Sequence, residues 1–133
     1  MATVRLISDA QASAEVREIF DDIRKVRNTD FINNFWRALA NNPAELKRTW
    51  AELQQVMGPG SIDPLTKEMI YIAVSVANAC TYCIHSHTAS ARAKGMTVDQ
   101  HAELLSIVAM AGKTNHLVTA MGVPVDDAFD EKP

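Results

Sequence analysis

Two cysteines and a histidine stand close together in the run Cys80-Thr81-Tyr82-Cys83-Ile84-His85-Ser86-His87. On a helix, offsets of three, four and seven bring Cys80, Cys83 and His87 onto one face. The thiolate is the reactive form of cysteine, and an ordinary thiol with a pKa of about 8.5 is mostly protonated at neutral pH. An imidazole one turn along can take the thiol proton or stabilise the thiolate, and a helix start adds free N–H groups and a favourable dipole. Two thiols so placed have a use for each other. One is oxidised to a sulfenic acid or mixed disulfide and the other resolves it.

Glu68 is the next candidate, a carboxylate inside an otherwise apolar stretch, and such a group is costly to bury without a partner. It lies twelve residues before Cys80. One straight helix would hold the two roughly 18 Å apart and on different faces. A reversal at Asn78-Ala79 changes this: two antiparallel helices then bring Glu68 and His87 to similar heights, in the order orienting carboxylate, base, nucleophile. Other readings of these residues have to be weighed. Cys80 and Cys83 could form a zinc half-site completed by His85 or His87, but no second CxxC follows, and His101 and His116 are distant. They could also be small core residues. His85 falls on another side of the helix and reads as a surface or interface residue. Tyr71 and Tyr82 either pack in the core or line the thiol pocket. A thioredoxin-like site would need a βαβ setting, which this sequence lacks.

The elements that must position these residues read as helices throughout, because no segment alternates with period two over a strand's length. A first helix opens at Ser13, carries Val16, Ile19, Phe20, Ile23 and Val26, and breaks near Asn28. Asp30 is placed to cap a short second helix with Phe31, Ile32, Phe35, Trp36 and Leu39. Pro43 suits the first turn of a third, which should bury Leu46, Trp50, Leu53 and Val56 before Gly58-Pro59-Gly60. Asp63-Pro64 reads as cap and first turn of a fourth helix running to about Ala77. That helix is apolar nearly all round (Met69, Ile70, Ile72, Ala73, Val74, Val76), as expected of one in the middle of a core. The cysteine segment runs to Lys94 and stops at Gly95. Thr97 or Asp99 starts the next helix, Gly112 interrupts it, and a last short helix spans 115–121. The tail from Asp126 to Pro133 is acidic and expected to fray.

With 133 residues, the chain fits one all-α domain over residues 1–133. Its formal charge of −3, without a Lys/Arg cluster, argues against a nucleic-acid partner. No apolar run reaches the roughly 20 residues that span a bilayer. Met1-Ala2-Thr3-Val4-Arg5 does not resemble a signal peptide, so a reducing, cytoplasmic location is expected, where paired cysteines are more often redox-active or metal-binding than structural. Ala89, Ala91 and Ala93 suggest an Ala-rich face for close helix approach between copies.

The run from Glu68 to His87 resembles the alkylhydroperoxidase D-like branch of the carboxymuconolactone decarboxylase family. The hallmark is a glutamate, twelve residues to a CxxC, and a histidine four residues after the second cysteine; all four positions match in Glu68, Cys80, Cys83 and His87. The segment Phe35-Trp36-Arg37-Ala38-Leu39-Ala40-Asn41-Asn42-Pro43 is similar to the one preceding the core in peroxidase-related members, so the likeness covers about 30–123. It implies a helical fold of six to seven helices, with a central antiparallel hairpin carrying the CxxC, that assembles into homotrimers or homohexamers. It also implies a peroxidase or disulfide reductase needing no cofactor beyond the cysteine pair and no metal. Cys83 would be the peroxidatic thiol, Cys80 its resolving partner and the point of exchange with an external dithiol protein, and Glu68 and His87 the proton relay. The chain departs from the founding hydroperoxidases in carrying Tyr82 where they often have a histidine. The rival functions are a decarboxylase-like lyase using Glu68 and His87, and a non-enzymatic zinc or redox interaction protein.

Overall fold

The computed structural model describes residues 1–129 as six α-helices, with no strand among them. They are α1 (Ala14–Arg27), α2 (Asn34–Leu39), α3 (Pro43–Met57), α4 (Pro64–Ala77), α5 (Thr81–Ala93) and α6 (Val98–Met121), followed by a 3-10 turn at Asp127–Phe129. Residues 130–133 of the expected frayed tail lie outside the described residues. The chain divides into two compact units, Met1–Gly58 and one beginning at Pro59.

In the first unit, α1 and α2 pack on α3. Ser13 caps α1 by accepting the Val16 N–H, and Asn28 ends it in the left-handed conformation at φ 50°. Val16, Ile19, Phe20 and Ile23 form the buried stripe of α1 and meet Ile32, Trp36, Leu46 and Trp50. The Trp36 and Trp50 rings meet edge to face at 5.5 Å, and Trp50 Nε1–H donates to Asp22 at 2.7 Å, which satisfies the indole's one polar group. Three expectations fail here. Val26, expected to continue the stripe of α1, is exposed. The N-cap of α2 is Asn33 rather than Asp30, so the helix starts later and leaves Phe31 exposed. Val56 also faces solvent, because the buried stripe of α3 runs through Leu46, Trp50 and Leu53.

In the second unit, α5 and α6 pack on α4. Asp63 caps α4, accepting the Thr66 N–H at 3.0 Å, with Pro64 in the first turn. The chain reverses at Asn78-Ala79, where Ala79 takes φ 53°, and the Cys80 N–H returns to the Ser75 carbonyl at 2.9 Å. Thr97 and Gln100 form a full capping box at the start of α6. Gly112 does not break α6. A lone glycine costs only about 1 kcal/mol in a helix interior, and the 24-residue helix continues through it.

Two further expectations are corrected. The fourth helix buries only Glu68, Ile72 and Ser75, a stripe at spacings of four and three, while Ile70 and Val74 are exposed. Ala89, Ala91 and Ala93 do not share a face, because residues two apart on a helix point about 200° apart. Ala91 is fully buried, while Ala89 and Ala93 are exposed.

Candidate active site

The hairpin of α4 and α5 brings the foreseen residues together. Glu68 sits in the first half of α4 and His87 at the middle of α5, and the imidazole Nδ1 lies 2.7 Å from Glu68 Oε2. With Nδ1 engaged by a carboxylate, the proton belongs on Nδ1, which leaves Nε2 with its lone pair free to act as a base. The Tyr71 ring, one turn after Glu68, stacks on the imidazole at 3.6 Å between centroids and 19° between planes. Tyr71 is thus part of the site. Tyr82, in the first turn of α5, is largely exposed.

Cys80 and Cys83 are paired as a disulfide with their Cα atoms 5.4 Å apart. Cys80 is the N-cap of α5, and its sulfur accepts the Cys83 N–H at 3.3 Å. That contact and the positive end of the helix favour negative charge on the Cys80 sulfur. Cys83 lies inside the first turn, with His87 one turn further along the same face. Each sulfur therefore has its own source of thiolate stabilisation, and Cys83 is the one with a base a single turn away. His85 is exposed, as its position on another side of the helix requires. Among the described residues no group of three or more His, Cys, Asp or Glu side chains is placed to hold a metal ion.

Lys94 completes the arrangement and was not singled out in the sequence. Its Nζ donates to Glu68 Oε1 at 2.9 Å. The signal was available: Lys94 follows His87 by seven residues, two helical turns on the same face. Burial works against ionisation of Glu68, but the hydrogen bonds from His87 and Lys94, with their charges, outweigh it and hold the carboxyl below its ordinary range. The set can keep a buried carboxylate charged, orient an imidazole and present that imidazole to a thiol.

The chain is similar to known proteins over much of its length. The carboxymuconolactone decarboxylase family model matches residues 44–126. The solved structure of the alkylhydroperoxidase AhpD core from Rhodospirillum rubrum is 64% identical, with a TM-score of 0.94 and 97% of each chain covered. An uncharacterized protein of Cupriavidus necator is 26% identical over 107 residues, 80% of this chain and 95% of its own length. Uncharacterized protein 4 in the cox locus of Paracoccus denitrificans is 35% identical over 54 residues, 41% of this chain, and the match spans only 49% of that protein. With a family model over more than half of its length and a near-complete structural match, the chain belongs to the carboxymuconolactone decarboxylase family, as an alkylhydroperoxidase D-like member.

Proposed function

We propose that the chain is a thiol-dependent peroxidase and disulfide reductase that turns over through Cys80 and Cys83. The observation that carries this reading is the 2.7 Å contact between Glu68 and His87, made across a hairpin whose second helix sets His87 one turn beyond Cys83. Carboxylate, imidazole and thiol then stand in the order of orienter, base and nucleophile. His87 takes the Cys83 proton on Nε2. The thiolate attacks one oxygen of a hydroperoxide, the O–O bond breaks, and Cys83 becomes a sulfenic acid. The departing alkoxide recovers the proton from His87 and leaves as an alcohol. Cys80 then attacks the Cys83 sulfur, forming the disulfide and expelling water, and an external dithiol protein returns the two electrons.

The likeness to a protein described as an alkylhydroperoxidase core supports this assignment over its rivals. We further infer self-association as a homotrimer or homohexamer, since α6 exposes Leu105, Ile107, Met110, Leu117, Val118 and Met121. The family's decarboxylase description favours one second reading, a lyase in which Glu68 and His87 act as acid and base with the thiols incidental.

Peroxide consumption separates the two. Cys83→Ser is expected to lower it on the order of a hundredfold or more. Cys80→Ser should allow one turnover and stop at a trappable sulfenic acid. Consumption unchanged by Cys83→Ser would overturn the proposal, and a lyase would keep its rate after thiol alkylation.

A further inference from the structure

A lysine at a helix C-terminus is ordinarily accounted for by the helix dipole and water, with its long stem lying along the surface. Lys94 is used differently. Its side chain is 40% exposed, yet the ammonium is laid on a carboxylate that is only 7% exposed. The backbone from which it reaches is fixed: the Lys94 N–H bonds the Ser90 and Ala91 carbonyls, both at 3.1 Å. Gly95 then takes φ 94°, a conformation that favours glycine, and the Met96 N–H turns back to Ala91 O at 2.9 Å with its side chain in the core of the unit.

The two oxygens of Glu68 are consequently held by two different groups, Oε2 by His87 of α5 and Oε1 by Lys94 at the C-cap of that helix. The terminal torsion of a glutamate is soft, so a carboxylate held at one oxygen can swing about that contact. Held at both, it cannot swing without breaking a charge-assisted hydrogen bond.

We propose that Lys94 is a positioning residue of this site, one that clamps Oε1 of Glu68 so that Oε2 stays directed at His87 Nδ1. The role rests on the peroxidase reading above, in which His87 must keep its proton on Nδ1 and its lone pair on Nε2. Lys94 acts only through Glu68. It also supplies the positive charge that offsets the carboxylate while the imidazole is neutral, so the resting site carries no net charge before the thiol proton arrives. Among the described residues, the ionisable groups set around Glu68 are His87 of α5 and Lys94 at its C-cap, with Tyr71 of α4 against the far partner, the imidazole.

The test uses the reduced, full-length protein carrying Cys80→Ser, so that Cys83 is the only thiol. Two quantities are followed: the Glu68 carboxyl titration by carbon-detected NMR, and the rate of Cys83 alkylation by iodoacetamide. Lys94→Met should raise the Glu68 midpoint by about one pH unit, the loss of one hydrogen bond to a charged group. It should slow alkylation about tenfold, and Lys94→Arg should restore both. In a Glu68→Gln background, Lys94→Met should have no further effect on alkylation.

An unmoved Glu68 midpoint, or a Lys94→Met effect of equal size with and without Glu68, overturns the proposal. Failure of the underlying reading looks different: Glu68→Gln would leave alkylation at the parent rate, while the carboxyl titration would still decide whether Lys94 holds Glu68.

Discussion

Among the described residues, the first unit gathers ten buried apolar side chains into one core and the second gathers four. In Met1–Gly58 the stripe of α1 closes over Leu46 and the two tryptophans, and no polar or charged side chain is buried with them. In the second unit the buried polar side chains Glu68, Ser75 and Thr88 share the interior with Ile72, Ala91, Met96 and Leu104. The Thr88 hydroxyl has no hydrogen-bond partner there. Ile70 and Val74 of α4 and most of the apolar side chains of α6 face outward. The sequence is apolar in both units, but in the second much of that apolarity is not used by its own core. Exposed apolar faces of this extent mark surfaces that something else covers.

That contrast predicts unequal responses to truncation. Phe20 is fully buried, and Phe20→Ala removes a whole ring from a closed core, so it should cost about 3–5 kcal/mol in urea unfolding. Val74 is 52% exposed, and Val74→Ala should stay within about 0.5 kcal/mol under conditions where the chain is monomeric. Equal losses at the two positions would break the comparison.

The outward face of α6 carries the next expectation. Ile107 is 62% exposed on a helix that buries only Leu104. If copies of the chain cover that face, Ile107→Asp places a charge in a desolvated contact and should shift the species seen by light scattering toward the monomer. Helicity by circular dichroism should stay at the parent level. An unchanged mass distribution would leave the apolar surface without the partner inferred for it.

Much of this is legible in the sequence alone. Ser13, Asp63 and Thr97 are helix caps because their side chains can accept N–H bonds that the first turn leaves open, and the residues that follow show it. The hairpin at Asn78-Ala79 followed from the need to partner Glu68 and was confirmed by its bond to His87. Lys94 was not found, because a lysine ahead of a glycine is already explained by helix termination and the spacing from His87 then draws no notice. The outward turn of Ile70 and Val74 was missed for a related reason. Apolarity around a whole helix says that all faces avoid water, and not whether the covering group belongs to the same chain. The break expected at Gly112 overstated a local preference that a 24-residue helix absorbs.

Glu68 offers the finest test of the comparison, because the second unit alone carries a charged group in its interior. His87 and Lys94 hold its carboxyl below the ordinary value of 4.5 despite its burial. A group whose folded pKa is depressed contributes stability that is fully present above the unfolded pKa and is lost as pH falls through the folded one. The parent chain should therefore lose part of its stability as the medium is acidified from the unfolded value of Glu68 through its folded value. Glu68→Gln keeps the shape and an acceptor but has no charge to lose, so its stability curve should be flatter over that window. Near neutral pH it should lie about 1–3 kcal/mol below the parent, the worth of hydrogen bonds to a charged group, and the two curves should converge in acid. Urea midpoints taken across the window would decide it. Parallel curves would mean that the carboxylate is not stabilised by its partners in the folded chain. The second unit's interior would then differ from the first only in having fewer apolar side chains.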